Sequence, residues 1–368
     1  MNGQVEEGSL RPNERIQKLL LSTPAHFVGQ FESPSVLISL AWPPTQTGRT
    51  RWFGGNADSL NRTAIALVFR TPVPSEPEPR IVIPNYEGVG EFVASALSVL
   101  FGKRFDTHGP LEMSGYFGVP DLSSFLTPCS PRLRHNDGQS RADRAVPLNL
   151  SEVGRIIGLI MESNKDNRFA AFHSAAKFYR RALISVEDDV EGAYLNLITA
   201  GEIISNVHEL NEDDVLDAEA RDALNRVARL KPDGAELATF LRGRLRGVKR
   251  RFVSAITAMV DDSFFERTEA DDRWTSFRKD DFQTRIAAAY DLRSRFVHSG
   301  YPFGGWIRQP DWEVQGGKPV VSDKEMAKVL AKAPLFKGLE RVIRYVLLSF
   351  AAELGATVEV DTEKSPTD

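Results

Sequence analysis

The chain holds a single cysteine, Cys129, which excludes a disulfide framework and any zinc site built from clustered thiolates. Histidine is scarce as well, six in all, and no His, Asp and Glu grouping offers a metal a plausible ligand set, so no cofactor is expected. Long apolar runs are missing: the longest, Val346 to Ala352, is interrupted by Ser349 and falls far short of the ~20 residues that span a bilayer. Positive charge is not in excess, because a net charge of -4 argues against a generally basic nucleic-acid coat. The opening MNGQVEEGSL lacks the basic-then-apolar pattern of a signal peptide, so the expected location is cytoplasmic, away from any membrane. What remains is ordinary for a globular chain, 42% hydrophobic and 26% charged. At 368 residues, two domains are favoured over one.

The two halves differ in texture. Residues 1–147 carry most of the prolines, and their apolar residues come in strand-length bursts: SVLISLAW (35–42), TAIALVFR (63–70) and RIVIPNY (80–86). TPVPSEPEP (71–79) reads as a loop, since its prolines fit neither ladder nor helix. EFVASALSVLFG (91–102) reads as one amphipathic helix stopped by Gly102. The expectation is an α+β recognition or regulatory domain over 1–126 and a linker over 127–147, TPCSPRLRHNDGQSRADRAVP. Residues 1–145 balance 14 Lys and Arg against 14 Asp and Glu, so this half is not a basic domain.

Beyond Leu148 the apolar period becomes helical, and an all-α bundle is expected over 148–358, with a disordered tail at 359–368. The expected helices lie at 151–163, 168–185, 189–210, 233–262, 281–300 and 335–355, with an irregular insertion at 301–320. Asp189 suits an N-cap, and Gly300 suits the residue just past a helix end.

Chemistry concentrates in AAAYDLRSRFVHSGYP (287–302). Arg293 and His298 are five residues apart, ~140° around an ideal helix, so they converge only if the helix frays or tightens near His298, as the stop signal Ser299-Gly300-Tyr301-Pro302 leads one to expect. Such a pair suits metal-free phosphodiester chemistry. A histidine moves the proton of a ribose 2′-hydroxyl or of the leaving 5′-oxygen, and an arginine holds the phosphate. Spacing alone decides little, because Arg168 and His173 repeat it in mid-helix without a stop signal; His173 reads as structural.

YDLRSRFVHSG resembles the catalytic helix of the HEPN superfamily, above all its Apea-like branch, where a tyrosine, an Arg-Ser pair, a histidine and a glycine recur in this order. AYLNLITAGEIISN (193–206), with Glu202 in an otherwise apolar helix, resembles the acidic helix of those domains. RFAAFHSAAKFYRRAL resembles their first helix and 335–354 their last, so the resemblance covers about 165–355. It implies a metal-independent endoribonuclease, used in some members as a toxin or phage-defence effector. His298 would be the general acid/base and Arg293 the phosphate and transition-state stabiliser. Glu202 would orient Arg293, and Ser294, standing where an asparagine often follows the arginine, would be auxiliary. The resemblance also implies a homodimer, or a higher even multimer, with two motifs meeting in one cleft. Silent members exist, so the alternative is an inactive dimerisation or scaffold module, with ligand or partner binding in the N-terminal half.

Other candidates each carry two readings. Arg295 and Tyr301 are phosphate or base contacts, or merely solvated. The basic run RGRLRGVKRR (242–251), with Arg242, Arg244, Arg246, Lys249 and Arg250, either tracks an RNA backbone or forms a solvated face balanced by the acids of 209–222. Trp306 and Trp312 either stack on bases or anchor the insertion. Cys129 reads as incidental. The scattered histidines His26, His108 and His135 leave the N-terminal half no visible chemistry, so its expected role is to sense a protein or nucleic-acid trigger.

Overall fold

The computed structural model describes residues 13–41, 62–72, 86–112, 120–162, 165–210, 216, 218–230, 232–245, 247–266, 275–308, 319 and 321–358. The chain forms two compact units, Met1–Ser163 together with Gly355–Asp368, and Asn164–Leu354. An α+β unit followed by a mostly helical one is the architecture.

The first unit is built on an antiparallel sheet in the order β2-β3-β4-β1-β5, with β1 Glu14–Thr23, β2 Gln30–Glu32, β3 Val36–Leu40, β4 Thr63–Pro72 and β5 Asp106–Glu112. Strand alternation sets its inner face: Ile38 pairs with Leu67, and Leu67 with Leu19, and all three are buried. Helix α1, Glu87–Phe101, packs close to that row, since a Cβ on Gly90 would lie 3.2 Å from Leu19. The expected helix end at Gly102 and the expected strands at 63–70 and 35–42 match these elements, while 80–85 and Trp42 lie outside the described residues.

The expected linker over 127–147 is a correction. Cys129, His135, Asn136, Arg141, Asp143 and Val146 are all buried, and the segment belongs to the first unit. Charge pairing rather than an apolar stripe holds it. Lys103 donates to the Arg134 carbonyl at 2.5 Å and to Asp137 at 2.6 Å, and the Arg104 backbone N–H donates to the His135 carbonyl at 2.9 Å. Arg141 reaches the Gly102 carbonyl at 3.3 Å.

The expected boundary at Leu148 moves too. Residues 150–163 belong to the first unit as a 3-10 turn, Leu150–Arg155, and a short helix α2, Ile157–Met161, not the single helix expected over 151–163. The chain returns at its far end: the Thr357 N–H donates to the Arg155 carbonyl at 2.9 Å, the Arg155 guanidinium reaches the Thr357 carbonyl at 3.4 Å, and Val358 is buried. The second unit is therefore inserted between two stretches of the first. Residues 359–368 lie outside the described residues.

In the second unit, α3 Asn167–Ser185 and α4 Val190–Val207 form a hairpin capped by Asp166 and Asp189, whose carboxylates accept from backbone N–H groups of the first turns. After α5 Ala218–Ala228, the helix expected over 233–262 is broken into α6 Gly234–Leu245 and α7 Val248–Ala258, because Gly247 adopts a non-helical ψ of 130° as the N-cap. Next come α8 Ser263–Glu266, α9 Lys279–Ser299, α10 Gly304–Ile307, α11 Lys324–Lys332 and α12 Phe336–Glu353. Helix α12 is buried along nearly its whole length. Helices α4, α7 and α12 meet at Gly201, where a Cβ would lie 2.7 Å from Phe252 and 3.0 Å from Ile343. Only glycine permits that approach, and it fixes the neighbouring Glu202 on a rigid backbone.

Candidate functional site

Helix α9 runs unbroken to Ser299 and stops at Gly300, whose φ of 64° is the left-handed value that favours glycine. The stop lies where the sequence places it, but the fray does not occur. Arg293 and His298 therefore stay on different faces, ~140° apart, and one chain does not converge them. His298 is exposed in the last turn. Arg293 is half-buried, and its Nη2 lies 3.4 Å from Oε2 of Glu202 on α4, itself only 14% exposed. Tyr290, one turn earlier on α9, is buried against the Phe252 ring at 5.3 Å. Burial first, and then the nearby Glu202 carboxylate, push the Tyr290 phenol up to about 12.

The neighbouring candidates scatter. Ser294 is half-buried on α9. Arg295 pairs with Asp323 at 3.7 Å, and Asp323 also caps α11, so this arginine ties two helices together. Lys249 pairs with Asp291 at 2.6 Å, pinning the start of α7 to α9. Arg250 is exposed, and the side chains of Arg242, Arg244 and Arg246 lie outside the described residues. Tyr301 is 45% exposed just past the helix end. Trp306 is half-buried, and Trp312 lies outside the described residues. Arg168, by contrast, pairs with Glu353 and lies over the Phe350 ring, which commits it to α12.

Glu191 was not among the candidates. Its Oε1 accepts the backbone N–H of Phe303 and, at 2.8 Å, that of Gly304. Phe303 packs against Tyr194 and Phe296 at 5.6 and 5.5 Å. The segment leaving α9 is thus tied back to α4. An acid in the first turn of α4 is also what the helix dipole favours, so its sequence position gave no separate signal.

The first unit holds a second polar cluster that the sequence reading passed over. Arg62 pairs with Asp106 at 2.5 Å, and Arg104 lies 3.0 Å from the same carboxylate, all buried. Cys129 is far from incidental: its sulfur accepts from Arg62 at 2.9 Å and from Arg104 at 3.4 Å. His108 bridges Ser22 at 2.7 Å and the Asp121 carbonyl at 2.7 Å. A carbonyl only accepts, so Nδ1 carries the proton and Nε2 accepts from the Ser22 hydroxyl. Both ring nitrogens are thereby used, which leaves the imidazole a structural strut beside a cavity of about 210 Å³. Burial above all holds the His108 pKa below its ordinary 6.5. Stability of this unit should be complete above pH 6.5 and decline as pH falls from there through the lower folded value, because the unfolded chain takes up the proton first. Denaturation midpoints between pH 7.5 and 5 should show this slope, and His108→Asn should flatten it; equal slopes in both proteins would remove His108 as the cause.

Among the described residues, no group of three or more His, Cys, Asp or Glu is placed to hold a metal, and no helix is long and apolar enough to cross a membrane. Comparison with protein-family models, curated proteins and solved structures finds no match for this chain.

Proposed function

We propose that the second unit is a metal-independent endoribonuclease of HEPN type, a regulated toxin or defence effector that leaves a 2′,3′-cyclic phosphate and a 5′-hydroxyl. One observation carries this reading most. A partly exposed guanidinium, anchored by a carboxylate from a rigid helix, shares α9 with an exposed histidine at a glycine-terminated end. His298 is the proton carrier and Arg293 the phosphate ligand, with Glu202 orienting the arginine. Because the regular helix keeps the two residues apart, the reading requires a second chain: Arg293 of one copy and His298 of its partner act on one phosphate across a two-fold axis. The start of α7, with Lys249 and Arg250, is pinned beside α9 by Asp291 and gives the cleft a basic flank.

The test is cleavage of total RNA by purified protein in excess EDTA, with product ends identified. Cleavage with cyclic phosphates is expected, by a species that scatters light as a dimer or a higher even multimer. Activity that appears only with added magnesium or manganese would overturn the mechanism. The same separation of Arg293 from His298 favours a second reading, an inactive dimerisation module; an even multimer that cuts no RNA would select it. The first unit is proposed to gate the nuclease by binding a protein or nucleic-acid trigger. Since 148–163 and 355–358 belong to that unit, the fragment that tests gating is 164–354. It should cut RNA without the regulation of the full chain, and an inert folded fragment would place part of the site in the first unit.

A further inference from the structure

The cavity of about 210 Å³ in the first unit lies where the edge strand β5 departs from regular pairing with β1. Leu19 faces Pro110 and Leu21 faces Thr107, so His108 and Gly109 together stand opposite Leu20. That extra residue is a bulge, and Gly109 meets it with a φ of 83°, in the region that favours glycine. Helix α1 closes the inner end: a Cβ on Gly90 would lie 3.2 Å from Leu19 and 3.9 Å from Leu21. Leu19, Leu21, Gly90 and His108 are buried, whereas Glu87 and Asp121 are exposed and Glu91 is half-buried. The cavity thus has a buried inner wall and an acidic rim. Both sides of the rim are fixed at the bulge. A Cβ on Gly109 would lie 3.9 Å from Oε1 of Glu87, and Glu91 follows Glu87 by one turn on the same face of α1. The Asp121 N–H donates to the His108 carbonyl at 2.7 Å, and His108 Nδ1 donates back to the Asp121 carbonyl at 2.7 Å.

We propose that this cavity binds a short aliphatic amine, with its ammonium among Glu87, Glu91 and Asp121 and its carbon chain against Leu19, Leu21 and Gly90. Among the described residues, no lysine or arginine lines the cavity. His108 adds no positive charge at neutral pH, because burial holds its pKa below 6.5. The Ser123 N–H, 2.9 Å from Asp121, holds that carboxyl below its ordinary range and so ionised. A metal ion is the poorer occupant. It needs several oxygens within about 2.6 Å of one point, and among the described residues no group of three or more His, Cys, Asp or Glu is placed to supply them. An alkylammonium spans a wider rim and uses the apolar wall that a metal ion would ignore. The inference stands apart from the ribonuclease reading of the second unit. It gives the first unit a small-molecule ligand at a place where a phosphate backbone is repelled.

The probe is n-butylammonium chloride, titrated at fixed neutral pH into the full-length protein. In histidine-labelled protein, the His108 ring resonance, assigned with His108→Asn, should move to a saturable endpoint with a Kd of about 1 mM. Salt near ~1 M should weaken binding about threefold or more, because the rim charges are exposed to screening. Glu87→Gln combined with Glu91→Gln removes two charges while keeping side-chain shape, and should weaken binding about 10-fold. Butan-1-ol, with the same carbon chain and no charge, and magnesium, with charge and no chain, should leave the resonance in place. An equal shift with the alcohol would make the cavity merely apolar, and an equal shift with magnesium would make it a metal site. Either result overturns the proposal, as does wild-type affinity in the double variant or no saturable shift up to about 50 mM amine.

Discussion

His298→Ala and Arg293→Ala should each lower RNA cleavage by at least ~100-fold while leaving the fold intact. That is the usual scale for losing a general acid/base or a preorganised charge contact. Neither residue supports the core: His298 is exposed, and Arg293 makes one long ion pair at the rim of α4. Removing the arginine does leave Glu202 without its cation, but at 14% exposure that carboxylate still reaches solvent. Circular dichroism and melting should therefore stay close to wild type. Mixing the two inactive variants is the sharper experiment. A mixed dimer carries one intact Arg293 and one intact His298 on different chains, so the trans arrangement predicts recovered cleavage. No recovery in a mixture shown to exchange subunits rules out pairing across chains, and full activity in either single variant removes that residue from the chemistry.

Arg62→Ala should destabilise the first unit by about 3–5 kcal/mol, the cost of removing one partner from a buried, hydrogen-bonded ion pair. Both side chains of the Arg62–Asp106 pair are almost fully buried, at 0% and 6% exposure. Without Arg62, the Asp106 carboxylate keeps Arg104 but loses its shorter ion pair, Ser22 loses a donor at 3.3 Å, and Cys129 loses its nearer guanidinium. The sole cysteine supplies the measurement. Cys129 is 3% exposed, so a thiol reagent reaches it only when the unit opens. Labelling under native conditions should accelerate by about 100-fold or more, since every 1.4 kcal/mol is about tenfold in the opening equilibrium. A rate within threefold of wild type would contradict the ion-pair argument.

Several elements were legible because local chemistry and packing agree in them. TAIALVFR alternates as a half-buried strand must, with Ile65, Leu67 and Phe69 inward, and α4 begins at the aspartate that caps it. Glu202 stood out as the acid in the apolar stretch AYLNLITAGEIISN, and its pairing with Arg293 was expected from the resemblance of that stretch rather than from the residues alone. The segment 127–147 was not legible. Its burial depends on partners at Lys103 and Arg104, more than twenty residues away, and a polar segment without period looks the same whether its charges face water or each other. The break at Gly247 was legible only in part, because glycine inside a helical pattern lowers propensity without deciding where a helix ends. The arrangement of Arg293 and His298 depended on whether the last turn of α9 frays, which spacing does not determine.

The insertion of the second unit into the first sets an order of events during synthesis. The sheet and the buried ion pairs of the first unit leave the ribosome early, but the segment that closes it, Gly355–Val358, follows the whole of the second unit. At ~5–20 residues per second, that delay is roughly ten seconds or longer. The bond from Arg155 to Thr357 spans 202 positions of sequence, one of the last contacts that a growing chain can make. Until then Val358 is not yet buried, and the first unit is held by its sheet and buried ion pairs without this closing stretch. Helices α3 to α12, whose mutual contacts all lie between the two crossings, are free to complete their own packing first. The N-terminal half, first to be made, is thus the last to be finished.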